Sequence, residues 1–257
     1  MQVQTLRAAQ GRFWVATALD ILGRDLGLWA GMTVVYLAMA LVLRQIPYIG
    51  FLLFVWLTPI FVAGAISTAR RLEEEDVHQP AFSGSRLSEG LARGFSESVA
   101  ALFQVFWQPD KTLAVMIIGT AVLGGMVVLQ ILAQLLHIDG PALGAMVRGD
   151  VGMAIWAPAV VSVVLVWSLR LALVLVALYA VHLVMLRDET SLQALETSAR
   201  ALKHNLIPLT LLGLTFLVPL FVSVHYGLLV TYLAHALLLP LLLLTAFASY
   251  KDLFVRA

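Results

Sequence analysis

The chain has no cysteine among its 257 residues, which excludes disulfides, thiolate nucleophiles and cysteine-ligated zinc or iron–sulfur centres. The redox compartment stays open. Charge is scarce as well: Asp, Glu, Lys and Arg form 12% of the residues, about half the usual share in soluble domains. There is no phosphate-binding Gly-x-x-x-x-Gly-Lys loop, no Gly-x-Ser-x-Gly elbow, and no His-x-His or His-Glu-x-x-His spacing. The long apolar runs hold no Asp or Glu, which removes an intramembrane acid–base pair and argues against a proton-driven carrier. No catalytic, cofactor-binding or metal-binding residue is therefore assigned, and no cofactor is implied. The net charge of +1 does not indicate nucleic acid, since the basic residues flank apolar runs and alternate with acids such as Glu73, Glu74, Glu75 and Asp76.

What the chain has in abundance is hydrocarbon: 61% of its residues are hydrophobic and the mean hydropathy is +0.95. The apolar residues fall into six runs: Leu26 to Leu43, Gly50 to Ala69, Thr112 to His137, a stretch within Val151 to Leu186, Leu206 to Val224, and Gly227 to Tyr250. About 20 helical residues cross a hydrocarbon core of about 30 Å, and a run without strict alternation does not suit a barrel strand. The sequence thus predicts an all-α integral membrane protein, 1–257 forming one polytopic domain of six spanning helices. Only Arg44 to Ile49 separates the first two runs, so they form a helical hairpin.

Orientation follows from Lys and Arg. Thirteen of the sixteen fall on one side of a six-span arrangement, Arg44 and Arg148 on the other, and Arg170 inside the fourth run. The larger group marks the cytoplasmic side, which puts both termini there. The first 25 residues lack the continuous apolar core and cleavage site of a secretory signal, so the mature protein is expected to keep its N-terminus.

Three amphipathic segments precede the three pairs of runs on that side. The N-terminal one mixes Arg12, Asp20 and Arg24 with Phe13, Trp14, Val15, Leu19, Ile21 and Leu22. The second, Leu87 to Trp107, repeats Leu87, Leu91, Phe95, Val99, Leu102, Phe103 and Phe106 at helical spacing. The third, Ser191 to Asn205, carries Leu192, Leu195, Ala199, Leu202 and Leu206 on one stripe behind a capping box of Thr190 and Gln193. Each is expected to lie in the interface and seat the hairpin that follows. The outer two hairpins also agree in register: Pro59 to Arg70 and Pro240 to Lys251 are each 11 positions, and Ala65 with Thr68 matches Ala246 with Ser249. With the middle third fitting more loosely, the chain divides into three parallel units near 1–71, 87–187 and 190–254. Parallel repeats imply a pseudo-rotation axis along the membrane normal.

Further motifs carry a resemblance. These are Gly11-Arg12-Phe13-Trp14, Arg44-Gln45-Ile46-Pro47-Tyr48-Ile49-Gly50, Pro59-Ile60-Phe61-Val62-Ala63-Gly64, His204-Asn205-Leu206-Ile207-Pro208 and Ala248-Ser249-Tyr250-Lys251-Asp252-Leu253-Phe254. On them, over nearly its whole length, the chain resembles a family of uncharacterised proteobacterial inner-membrane proteins. The resemblance implies six membrane helices in the bacterial cytoplasmic membrane. It implies no activity and supplies no catalytic residue.

Three residues merit attention as functional candidates: Arg170, His182 and His235. A cation at mid-membrane costs about 2.5–3.5 kcal/mol on insertion scales, so depth decides what Arg170 does. The 36 residues from Val151 to Leu186 would make a helix of about 54 Å. If the crossing runs from about Trp167 to Arg187, Arg170 snorkels beside Trp167 at the outer boundary, and Val151 to Val166 is an extension or a re-entrant piece. The competing reading has Arg170 lining a cavity. His182 and His235 fall inside runs, where hydrogen bonding to a carbonyl or a neighbouring helix is the ordinary role, whereas His137 and His225 fall near the outer face. Pro59, Pro158, Pro208, Pro219 and Pro240 predict kinks. Ala63/Ser67, Gly64/Thr68, Thr120/Gly124 and Ala121/Gly125 are small-residue pairs that suit internal helix packing.

Two function classes follow. A non-enzymatic scaffold or accessory subunit is preferred, with a transporter, channel or lipid-handling protein built around Arg170 as the alternative. Membrane lipids are the expected partners and other membrane proteins a further option.

Overall fold

The computed structural model describes residues 10–47, 49–74, 96–135, 153–223 and 228–254. Every regular element among them is helical, and several are long and apolar, so the chain is an all-α, multi-helix membrane protein. The helices are α1 (Gly11–Arg24), α2 (Leu26–Arg44), α3 (Ile49–Glu74), α4 (96–103), α5 (Pro109–Leu135), α6 (Met153–Arg187), α7 (Ser191–His204), α8 (Leu206–Ser223) and α9 (Leu228–Phe254). Five of them are long and apolar enough to cross a bilayer: α2, α3, α5, the Val164–Arg187 part of α6 and the Val230–Phe254 part of α9. The sixth expected span is α8, whose 18 residues measure about 27 Å.

Local chemistry sets the boundaries. Asp25 ends α1 and opens α2, its carboxylate accepting from the Leu28 amide at 2.9 Å as an N-cap. Pro109 starts α5 and keeps Gln108 out of the helical region, and the segment before it is a 3-10 turn at Gln104–Trp107. The single amphipathic helix expected to reach Trp107 therefore stops at residue 103, and Phe106 and Trp107 face outward. Residues 87–95 of that expectation lie outside the described residues. Where α6 ends, Asp188 takes a left-handed φ of 56° and the Glu189 amide reaches back to the Leu183 carbonyl, closing the helix as glycine usually does. Helix α6 runs unbroken through 35 residues, about 53 Å, so the part from Met153 to Val166 is an extension and not a re-entrant piece.

The helices assemble around α3, α6 and α9, which touch one another pairwise. Each outer apolar helix fills the groove between two of these: α2 touches α3 and α9, α5 touches α3 and α6, α8 touches α6 and α9. Each short amphipathic helix packs chiefly against one central helix. α1 lies on α9 and α7 on α6, while α4 meets α3 where the Gly64 position abuts the Ala101 and Leu102 backbone. The same arrangement thus occurs three times, and α1 against α9 closes the circle between the two ends of the described chain.

Polar side chains fix the short helices. The Trp14 indole donates to Asp252 at 2.7 Å, Ser98 to the Leu28 carbonyl at 3.0 Å, and Ser198 to the Val176 carbonyl at 2.7 Å. On α7 the side packed against protein is not the leucine stripe, and the cap differs from the one expected. On α7, the buried residues are Ala194, Ser198, Ala201 and Leu202, while Ala199 is exposed and Leu192 is 76% exposed. Lipid tails are as apolar as a protein interior, so a large side chain gains little by turning inward, whereas small residues let backbones approach. Thr190 is the N-cap of α7 but makes no side-chain cap bond, so the expected capping box is absent.

Small residues mark the tightest contacts between central and outer elements. A Cβ at Gly64 would lie 2.5 Å from the Leu102 carbonyl oxygen, and one at Gly119 would lie 2.5 Å from that of Trp56. The same α3–α5 seam is tied by the Trp56 indole donating to Thr120 at 3.0 Å. Gly124, by contrast, has no neighbour within 4 Å, so the expected Thr120/Gly124 stripe is only half used in packing.

Candidate functional site

The three candidate residues do not converge. His182 is fully buried where α6 meets α9. Its Nδ1 lies 2.7 Å from the Leu178 carbonyl, and since a carbonyl can only accept, that nitrogen carries the proton. The ring stacks on Tyr250 at 5.4 Å and 25°, with Tyr179 at 6.0 Å and Phe247 at 6.3 Å completing an aromatic cluster. Beside it, the Tyr179 and Ser249 hydroxyls pair across the two helices at 2.6 Å. This is a packed, polar-pinned interior contact.

His235 lies on α9, 15 positions before Tyr250 and so about 23 Å along the helix from the His182 stack. Its Nδ1 meets the Thr231 carbonyl one turn back at 2.7 Å. Among the described residues, no group of three or more His, Asp or Glu side chains is placed to hold a metal ion. His137 and His225 lie outside the described residues.

Arg170 stands apart from both. It lies 17 positions from the Arg187 end of α6, about 26 Å along a helix and so near the far edge of a 30 Å hydrocarbon layer. Its guanidinium donates to Gln130 Oε1 at 2.7 Å and sits 5.3 Å from the Trp167 ring centre. Gln130 is 19 positions from Lys111 on the antiparallel α5, about 29 Å from the same end. Two helices therefore place this trio independently at one depth. The expected pairing of Arg170 with Trp167 is present as a cation–π contact. Gln130 was not legible as the partner, since nothing in a sequence sets the rotation of one helix against another.

At the other end of the molecule, cations meet the ends of the central helices. Lys111 bridges the Met185 carbonyl at 3.1 Å and the Asp188 carboxylate at 2.7 Å. Arg187 donates to the Phe254 carbonyl, Lys251 pairs with Glu73, and Arg24 donates to the Leu72 carbonyl at 2.9 Å. Each cation serves a helix C-terminus, whose free carbonyls and dipole favour positive charge. The Lys111 ammonium, by hydrogen bond and charge, holds the Asp188 carboxyl below its ordinary range.

No protein-family model, curated protein or solved structure matches this chain. Its functional reading accordingly rests on the arrangement of its own residues.

Proposed function

We propose that this protein is a non-enzymatic scaffold or accessory subunit of a bacterial cytoplasmic membrane. In this reading it consists of three parallel two-span units, near 1–71, 87–187 and 190–254, with six crossings and both termini on the cytoplasmic side. Membership of the uncharacterised proteobacterial six-helix family is part of the same proposal. The observation that carries it is the threefold recurrence of one packing pattern around three mutually touching helices. The three central helices are in direct contact with one another, and Ile60, Leu175, Tyr179, His182 and Phe247 on them are buried, whereas a repeat-built carrier would hold a substrate site between its units. The orientation is supported by the charge pattern of the sequence, which puts thirteen of the sixteen basic residues on one side of a six-span arrangement.

The alternative, a transporter, channel or lipid-handling protein, requires Arg170 to line a cavity. Its position at the rim, bonded to Gln130 and exposed on its flanks, favours the scaffold. Reconstitution into vesicles, combined with affinity purification in a mild detergent, tests the choice. The scaffold predicts membrane proteins that co-purify in stable proportion and no solute flux, with Arg170→Gln changing neither abundance nor co-purification. A selective flux that Arg170→Gln abolishes at normal abundance would overturn it.

A further inference from the structure

We propose that Arg170, Gln130 and Trp167 hold the phosphodiester headgroup of an anionic phospholipid, in the leaflet opposite the cation-rich end. The inference does not depend on the scaffold reading.

Four observations support it. Depth comes first: α5 and α6 each set the trio about 23 to 29 Å from the Lys111–Met185 contact, close to the opposite edge of a hydrocarbon core of about 30 Å, from which a long guanidinium side chain reaches the phosphate level. The second is hydrogen-bonding capacity. A guanidinium has five N–H donors and no acceptor; among the described residues Arg170 gives one to Gln130 and has no carboxylate partner. Gln130 keeps two amide donors against one remaining lone pair on its oxygen. The cluster is thus rich in donors around a cation, and its unmet complement is an anion with several acceptor oxygens, for which guanidinium geometry is well suited.

Surroundings supply the third observation. Val127 and Ile131 on α5, with Leu165 and Leu169 on α6, are exposed beside the trio. That surface suits acyl chains and favours an anion carried by a lipid over a fully hydrated one. The fourth is Trp167, itself 45% exposed, whose ring lies against the guanidinium. An indole at this depth has the ordinary place of an interfacial anchor, and the cation–π contact restrains Arg170 from folding away into water.

The test uses the full-length protein in a mild non-ionic detergent, with thermal unfolding followed as phosphatidylglycerol, a neutral diacylglycerol or inorganic phosphate is added. Phosphatidylglycerol is expected to raise the Tm of the wild type. Arg170→Gln is expected to keep the lipid-free Tm and to need about tenfold more phosphatidylglycerol for the same gain, the scale of one lost charge-assisted contact. Arg170→Lys, which keeps the charge without the fork, should fall between the two and guards against a folding defect in the glutamine variant. Trp167→Leu should weaken the response less than Arg170→Gln does. An equal response in wild type and Arg170→Gln would overturn the proposal. So would an equal gain from inorganic phosphate, which would make the site one for a free anion, or from diacylglycerol, which would make the headgroup irrelevant.

Discussion

Replacing Gly64 by alanine should destabilise the protein, although the same change in the middle of an ordinary helix stabilises it by about 1 kcal/mol. The added Cβ would sit 2.5 Å from the Leu102 carbonyl oxygen, 2.6 Å from that of Ala101 and 2.7 Å from the Leu102 Cα. All three are backbone atoms, so no side chain can rotate aside. Even a close carbon–oxygen contact needs roughly 3.3 Å, so α4 must move by roughly 0.8 Å from α3. Overpacking of that kind costs about 1–3 kcal/mol. The shift also strains the bond in which Gln104 donates to the Gly64 carbonyl at 3.0 Å, worth about 1 kcal/mol. Set against the gain in helix propensity, the net loss is about 1–3 kcal/mol. Gly124→Ala is the matched control, since nothing lies within 4 Å of its added Cβ; it should be neutral or slightly stabilising. Reversible denaturation in mixed detergent micelles measures both. If Gly64→Ala proved as stable as Gly124→Ala, α4 would not be docked on α3 as described.

Trp14→Phe keeps the ring in the α1–α9 contact but deletes the indole donor to Asp252, and should cost about 1.5–3 kcal/mol in the same denaturation assay, as for a buried bond to a charged acceptor; an unchanged midpoint would refute the clasp. At Asp188, the left-handed backbone predicts that Asp188→Ala is less stable than Asp188→Gly by about 1 kcal/mol, both variants having lost the Lys111 pair. The same carboxyl predicts a pH effect. Its folded pKa lies below its ordinary 3.8, so its contribution is complete above that value and disappears as pH falls through the folded one. Lys111→Met should therefore flatten the stability profile at pH 4 and below, and should return the Asp188 titration, followed by NMR, toward its ordinary range.

Most of the fold was legible because long apolar runs are local signals. The expected run from Leu26 to Leu43 is α2, Leu26–Arg44, and Ser191 to Asn205 is α7, Ser191–His204. The rotation of the amphipathic helices was not legible. A stripe of leucines marks the buried face in water, but beside lipid it can point outward, as Leu192 does, while Ala194 and Ser198 make the contact. Ser98 was missed for the same reason: a lone serine on an apolar face gives no periodic signal, yet it is fully buried against the Leu28 carbonyl. Of the candidate site, the pairing of Arg170 with Trp167 was readable, because the two are three residues apart on one helix. Gln130 comes from another helix 40 positions away and depended on tertiary packing. Asp188 was hidden too, since a helix closed by a non-glycine left-handed residue looks like any other loop.

The lack of cysteine provides the most direct test of the arrangement, since a single introduced thiol has no background. Phe13, Trp107 and Leu192 expose one large side chain on or beside each of the three amphipathic helices, at 60%, 74% and 76%, and Leu135 is 72% exposed at the far end of α5. Cysteines placed singly at these four positions, in intact vesicles of known orientation, can be probed with a membrane-impermeant maleimide added to either face. Three parallel units predict that the first three react from the same face and the fourth from the opposite one. Labelling of any of the first three from the face that labels position 135 would contradict the account.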